Sequence, residues 1–387
     1  MRTKIRRRGS RWFLYSVSVD GREHGEGGYR TQREAKARAA EILADASRGR
    51  HVTPGRLTVA DYLLGEWLEA RATADISPGT LDVERTMIES GVVPHVGDIL
   101  LQKLTARDLD RLYRILRERG GRGGRPLKGK SIRNTHAMLS KAMGDAVRRG
   151  HFVANPVSAV DPPRKDDSVE RTAWTRDEVR TFLEVASGDR LASIWRLALT
   201  SGLRRGELLG LQWDDVDGGT VSVARQVLVR PRSVGAARRV YLRSTTKGHR
   251  VRRVRTDPET EATLRRWKTA QAEERLAFGP AYKAEGGLGV EAAWIVTEPD
   301  GFVVHPDTLL RRWQAIVKVA GVTPIGLHGA RHSYAELALA SGVRLDVVSR
   351  QLGHASIATT ASNYVHDNDA AAAEAAAIVG AVLGRGR

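Results

Sequence analysis

His328-Gly-Ala-Arg331-His332, followed by Leu352-Gly-His354 and then Thr359-Thr360-Ala-Ser-Asn-Tyr364, is the stretch on which the reading of this chain turns. At helical pitch His328, Arg331 and His332 fall at i, i+3 and i+4, so they share one face and can converge on one small ligand. The chemistry of the set points to a phosphate. Arginine offers a planar fork of permanent donors that matches phosphate oxygens, and imidazole exchanges protons near neutral pH. A tyrosine beside such groups is a candidate nucleophile toward phosphorus.

Composition points the same way. Lys plus Arg outnumber Asp plus Glu by 63 to 45, a formal net charge of +18, and such a field attracts polyanions, nucleic acid above all. No run of apolar residues is long enough for a membrane span and no signal-peptide core follows the basic start, so a soluble, cytoplasmic protein is expected. The absence of cysteine excludes disulfides, thiolate metal sites and a cysteine nucleophile. A chain of 387 residues exceeds what one core usually serves.

Working outward, the pattern predicts an α+β, mainly helical, multidomain chain. Residues 1–52 read as a small sheet backed by a helix. Phe13, Tyr15, Val17 and Val19 alternate, Asp20-Gly21 is a hairpin signal, and Thr31 with Glu34 forms a capping box that opens an Ala-rich helix to about Ser47. A basic arm, Arg6-Arg7-Arg8, leads this module and is a candidate DNA contact. Residues 56–160 read as helical, with caps at Thr58 and Thr105 and a further helix from Ser131 to Gly150. Between the last two helices Arg119-Gly-Gly-Arg122-Gly-Gly-Arg125, with Lys128 and Lys130, is either a basic loop that follows a phosphate backbone or a plain connector. The broken periodicity and charge of 161–172 predict a linker, and 173–387 form a further domain opened by the capping box Thr175-Arg-Asp-Glu178.

That last domain holds two more chemical pieces. In Gly202-Leu-Arg204-Arg205-Gly206-Glu207 the glycines predict a sharp turn into a helix whose N-terminal amides and dipole favour an anion, with Arg204 at the entrance. Strand-like runs are expected at 221–229 and 240–255, and within the second Thr245-Thr-Lys247-Gly-His-Arg250 reads as a turn between two strand-like segments, which predicts a hairpin with Lys247 at its tip.

Read together, these pieces resemble the tyrosine recombinase family, the integrases of temperate phages and integrative elements. The family's ordered set is an arginine in Gly-x-Arg-x-Gly-Glu, a hairpin lysine, a His-x-x-Arg helix, a Leu-Gly-His and a tyrosine about ten residues on. Arg204, Lys247, His328, Arg331, His354 and Tyr364 occupy those positions in that order. The resemblance extends over about 173–387 and into the helical domain, and the first 50 residues are similar to the arm-type DNA-binding domain of phage integrases.

The resemblance implies a site-specific recombinase that works without ATP, metal or other cofactor. Tyr364 would attack the scissile phosphate, Arg204 and Arg331 would neutralise its nonbridging oxygens, and Lys247 would protonate the leaving 5′-oxygen. His328 would serve as acid/base and His354 as a hydrogen-bond donor to phosphate; Glu207, outside the catalytic set, would orient a neighbouring arginine or histidine, His332 would be structural, and Arg205 is left without an assigned role. The implied partners are double-stranded attachment sites, four protomers in synapsis, an excision factor and a host DNA-bending protein. A tail after Asp367 would dock on a neighbouring protomer or on its own domain. A chromosome-dimer resolvase, a type IB-like topoisomerase and a catalytically silent DNA-binding regulator are the alternatives.

Overall fold

A computed structural model of the chain describes residues 3–19, 22–47, 55–74, 76–164, 172–229, 240–244, 251–354 and 356–364. The chain divides into two compact units, Met1–Ser168 and Val169–Arg387, so the boundary falls inside 161–172.

The first unit opens with three antiparallel strands, β1 (Thr3–Arg8), β2 (Arg11–Val19) and β3 (Arg22–Tyr29), in the order β1-β2-β3. The Asp20-Gly21 turn lies outside the described residues, with Val19 opposite Arg22 across it. Helix α1 (Gln32–Ser47) starts where Glu34 N–H donates to Thr31 Oγ1 (3.2 Å), and the Glu34 carboxylate accepts from Arg30 N–H (2.9 Å). Leu14, Ala39 and Ile42 make a small core. The basic arm expected at Arg6–Arg8 is instead an edge strand paired with β2, Arg6 opposite Phe13 and Arg8 opposite Arg11. Its run of cations hid the alternation, and strand geometry sends Arg7 to the face opposite Arg6 and Arg8.

The rest of this unit is helical and has its own core. Helix α2 (Val59–Asp61) continues through a π-helical segment, Tyr62–Trp67, into α3 (Leu68–Thr73). Next come α4 (Pro78–Thr86), a second π-helical segment (Met87–Val92), α5 (Val93–Val96), α6 (Ala106–Arg119) and α7 (Gly129–Arg148). Full capping boxes at Thr58/Asp61 and Thr105/Asp108 satisfy the first amides of α2 and α6. Tyr62, Leu63, Trp67, Leu112, Leu116 and Leu139 are buried together. The polar ends of the aromatic pair are partnered, Tyr62 Oη donating to the Ala142 carbonyl (2.9 Å) and Trp67 Nε1 to Asp145 (2.8 Å). The loop before α7 is shorter than the sequence pattern predicts, because Lys128 is the N-cap of α7 and Lys130 lies in its first turn. Arg122, Arg125, Lys128 and Lys130 are all exposed.

In the second unit α8 (Arg176–Ala186), α9 (Ala192–Ser201) and α10 (Arg205–Leu209) precede β4 (Val216–Asp217), β5 (Thr220–Val223), β6 (Arg225–Val229), β7 (Val240–Ser244) and β8 (Arg252–Arg255). Helices α11 (Pro258–Phe278), α12 (Pro306–Ala320), α13 (Leu327–Ala340), α14 (Leu345–Leu352) and α15 (Ile357–Tyr364) complete it. The core centres on Trp174, stacked on Trp313 (ring centroids 5.2 Å apart), with Phe182 and Trp195 against the same indole. Trp174 also ties the start of the unit to α13, its N–H donating to Ser333 Oγ (2.8 Å) and its Nε1 to the Thr323 carbonyl (2.7 Å). The strands form two ladders, β4-β5-β8 and β6-β7. The hairpin expected around Lys247 is therefore corrected: among the described residues β7 pairs with β6 and β8 with β5, so the flanking strands belong to different ladders. Periodicity finds strands but not their partners, which are set by contacts distant in sequence.

Candidate active site

Backbone turns at the ends of α9 and α14 bring the arginines together. Helix α9 ends on Gly202, whose φ of +63° is the left-handed conformation that closes a helix. A Cβ there would lie 2.7 Å from Leu352 and Tyr334 atoms, so glycine is required twice over. Arg204 is then the N-cap residue of α10. That helix has only five residues, so the dipole expected at this entrance is short, and the Arg204 guanidinium supplies the positive charge instead.

Arg331 projects from α13 into the interior and is only 2% exposed. Its Nη1 donates to the Gly202 carbonyl and its Nη2 to the Leu352 carbonyl, each at 2.7 Å. Burying a guanidinium is costly unless its donors are met, and the open carbonyls at the ends of α9 and α14 meet them. Arg204 is 40% exposed along its side chain. Its Nη1 donates to Glu207 Oε1 (2.9 Å) and its Nη2 to the Gly353 carbonyl (3.5 Å).

Glu207 is 3% exposed and anchors the cluster. Besides Arg204 Nη1, it accepts from the Arg204 N–H (2.8 Å) and from both Nη atoms of Arg252 (2.7 Å each). Burial pushes this carboxyl up, but the hydrogen bonds and charge of Arg252, joined by Arg204, overcome it and hold the pKa at about 2. Arg252, on β8, did not emerge from the sequence. Its Nε donates to the Gln351 carbonyl (3.1 Å).

His354 follows the left-handed Gly353 (φ +66°) that ends α14. Its Nδ1 lies 2.7 Å from the hydroxyl of buried Thr360, one helical turn before Tyr364 on α15. Burial, and then the nearby charges of Arg331, Arg204, Arg252 and His328, lower its pKa to about 4, so the ring is neutral at physiological pH. His328 is exposed on the first turn of α13, and its ring meets that of His332 edge-on at 5.0 Å. The two imidazoles pack on each other, while Arg331 on the same helix is buried. Arg204, Arg331 and His354, with His328 among the charges that act on His354, are thus gathered around the end of α14. Tyr364 is the last residue of α15, and Lys247 lies outside the described residues. Arg6, Arg7, Arg8, Arg122, Arg125, Lys128 and Lys130 belong to the first unit.

The family comparison covers the same region. The sequence model of the phage integrase family matches residues 173–371, just over half of the chain. A "Tyrosine recombinase XerC-like" protein of Caldanaerobacter subterraneus subsp. tengcongensis is 26% identical over 384 residues, 94% of this chain and 95% of that protein. Among solved structures, the Tn1549 transposon integrase in complex with transposon right end DNA superposes with a TM-score of 0.66 at 20% identity, over 82% of this chain and 98% of that one. A lambda integrase tetramer bound to a Holliday junction gives 0.60 at 19% identity, over 92% and 93%. These two likenesses speak to the fold. Fold and family together define a site-specific recombinase that cleaves and rejoins DNA strands through a tyrosine. The chain belongs to the phage integrase family.

Proposed function

We propose that this chain integrates a phage or mobile element, and excises it, with Arg204, Lys247, His328, Arg331, His354 and Tyr364 as the catalytic set. The observation that carries the assignment is the anchoring of Arg204, Arg331 and the His354 turn on the end of α14, a short stretch before Tyr364. The Tyr364 phenolate oxygen attacks phosphorus. A 3′-phosphotyrosyl bond forms, the bond from phosphorus to the 5′-oxygen breaks, and the leaving oxygen takes a proton from Lys247. Arg204 and Arg331 offset the charge that builds on the nonbridging oxygens. His354, neutral and held through Nδ1 by Thr360, presents Nε2 as a hydrogen-bond donor, and His328 takes the phenol proton. The phosphodiester energy is stored in the phosphotyrosyl bond, so no ATP is consumed.

DNA is held by three functional domains, residues 1–52 on arm sites, 56–160 on the core and 173–387 on the scissile phosphate. Arg6–Arg8, Arg122, Arg125, Lys128 and Lys130 contribute phosphate contacts. Synapsis uses four copies, aided by an excision factor and a host bending protein. The lambda integrase tetramer on a Holliday junction supports the fourfold assembly. The test is to incubate the protein with supercoiled DNA carrying both attachment sites, read from the junctions that flank the gene. Recombinant circles formed without ATP are expected. Relaxed plasmid with no recombinant would identify a topoisomerase, and binding without either product a silent regulator.

A further inference from the structure

The open carbonyls at the end of α14 are divided among three arginines. Gln351 accepts from Arg252, Leu352 from Arg331 and Gly353 from Arg204. Two of the three have roles in the reaction proposed above, and Arg252 has none. Strand alternation sends Arg252 inward beside buried Val254, while Arg253 and Arg255 are exposed. An inward guanidinium needs a built partner, and Arg252, at 16% side-chain exposure, has a planar two-bond match to Glu207. The backbone makes room for it. A Cβ on Gly353 would fall 2.7 Å from Arg252 Cδ, so any side chain immediately before His354 would push the arginine out.

We infer that Arg252 is a positioning residue of the strand-transfer site, aiming Arg204 through Glu207 and fixing the His354 turn through the Gln351 carbonyl. Glu207 accepts four hydrogen bonds, two from Arg252 and two from Arg204, which fill the lone pairs of a carboxylate. Arg252 sets the plane of that carboxylate, and Arg204, the more exposed of the two, hangs from it. Neither contact requires Arg252 to touch DNA. The inference rests on the recombinase reading, since it gives Arg252 its importance through Arg204 and His354.

The test uses a nicked duplex that traps the covalent intermediate, carrying the core sequence from the junctions that flank the gene. Single-turnover cleavage and equilibrium binding are measured on that same duplex for the unaltered protein, Arg252→Ala, Arg252→Lys, Glu207→Gln and the double variant Arg252→Ala/Glu207→Gln. Arg252→Ala is expected to bind the duplex as the unaltered protein does and to cleave about 10²-fold more slowly, the scale of loss when a catalytic group is misplaced by about 1 Å. Arg252→Lys restores charge without the fork and should fall in between. The double variant should cleave no more slowly than Glu207→Gln alone, because the two residues act through one path.

Unaltered cleavage by Arg252→Ala overturns the inference. So do losses of Arg252→Ala and Glu207→Gln that multiply in the double variant, or losses in binding that match those in cleavage. If Arg252→Ala does not fold, Arg252→Lys decides, and cleavage by it at the unaltered rate is the contrary result. No adduct from the unaltered protein would overturn the recombinase reading and this inference with it, whereas the other contrary results leave that reading standing.

Discussion

Arg331 and Arg122 carry the same guanidinium in opposite settings. Arg331 is 2% exposed and spends two donors on the carbonyls of Gly202 and Leu352, which come from different turns of the fold. Arg122 stands in solvent on a short turn closed by Gly121 N–H on the Arg125 carbonyl (2.7 Å). In the reaction proposed above the first is oriented before DNA arrives, so its charge meets the transition state without reorganisation. In its proposed role as a phosphate contact the second is ordered only by the phosphate it meets and is screened by salt. In that proposal position, more than residue type, separates an arginine for chemistry from one for adhesion.

The comparison breaks most readily at Arg331. Arg331→Ala is predicted to slow strand cleavage by about 10³- to 10⁵-fold, the range for a transition-state arginine. Arg331→Lys should recover little, because an ammonium does not span both carbonyls as a fork does. Single-turnover cleavage at saturating protein is the measurement, and recovery to near the unaltered rate in the lysine variant would show that the fork is not needed.

Lys247 sharpens the contrast, being assigned to chemistry by its place in the sequence order alone. Lys247→Ala should slow cleavage by about 10²- to 10⁴-fold, the usual contribution of a positioned proton donor. A substrate with sulfur at the 5′-bridging position leaves as a thiolate and scarcely needs that proton, so the defect should largely vanish there while those of Arg204→Ala and Arg331→Ala persist. Equal defects on oxygen and sulfur substrates would move the proton to another residue.

A smaller effect concerns the imidazole inside the cluster. Folded His354 stays neutral down to about 4, whereas the unfolded chain takes up that proton near the ordinary value of 6.5. Acid in this window favours the unfolded state, so the stability contribution is complete above 6.5 and is lost as the pH falls toward 4. Melting temperature should therefore drop on acidification through this window by more in the unaltered protein than in His354→Gln. Identical slopes would contradict the burial and charge that hold the ring neutral.

Least of all should change at the loop. Arg122→Ala or Arg125→Ala should leave cleavage at saturating protein unaltered and weaken DNA binding modestly. The slope of log affinity against log salt should become shallower by about 0.9 for each phosphate that the variant no longer neutralises. A cleavage defect that persists at saturation would place the loop in the chemistry and erase the contrast.

What was legible in the sequence follows the same division between local and distant contacts. Thr58, Thr105 and Thr175 announce helix starts because the carboxylate of each capping box lies three residues on. The order from Arg204 to Tyr364 was legible because each residue keeps its short motif. The strand at Thr3–Arg8 was hidden by its own cations. The π-helical segments at Tyr62–Trp67 and Met87–Val92 left no periodic mark strong enough to read. Arg252 was out of reach for a plainer reason: its carboxylate is 45 residues away and its carbonyl 99. The burial of Arg331 was equally unreadable, since helical spacing gave its face but not the Gly202 carbonyl 129 residues before it.

In the proposed reaction this cluster serves Tyr364, at the end of α15. The most direct test of that role is to trap the protein on the nicked core duplex, digest the adduct and sequence the DNA-linked peptide, alongside Tyr364→Phe. The expected result is one peptide modified at Tyr364, and for Tyr364→Phe undiminished DNA binding with no adduct. An adduct on another residue, or one that survives in Tyr364→Phe, would contradict it.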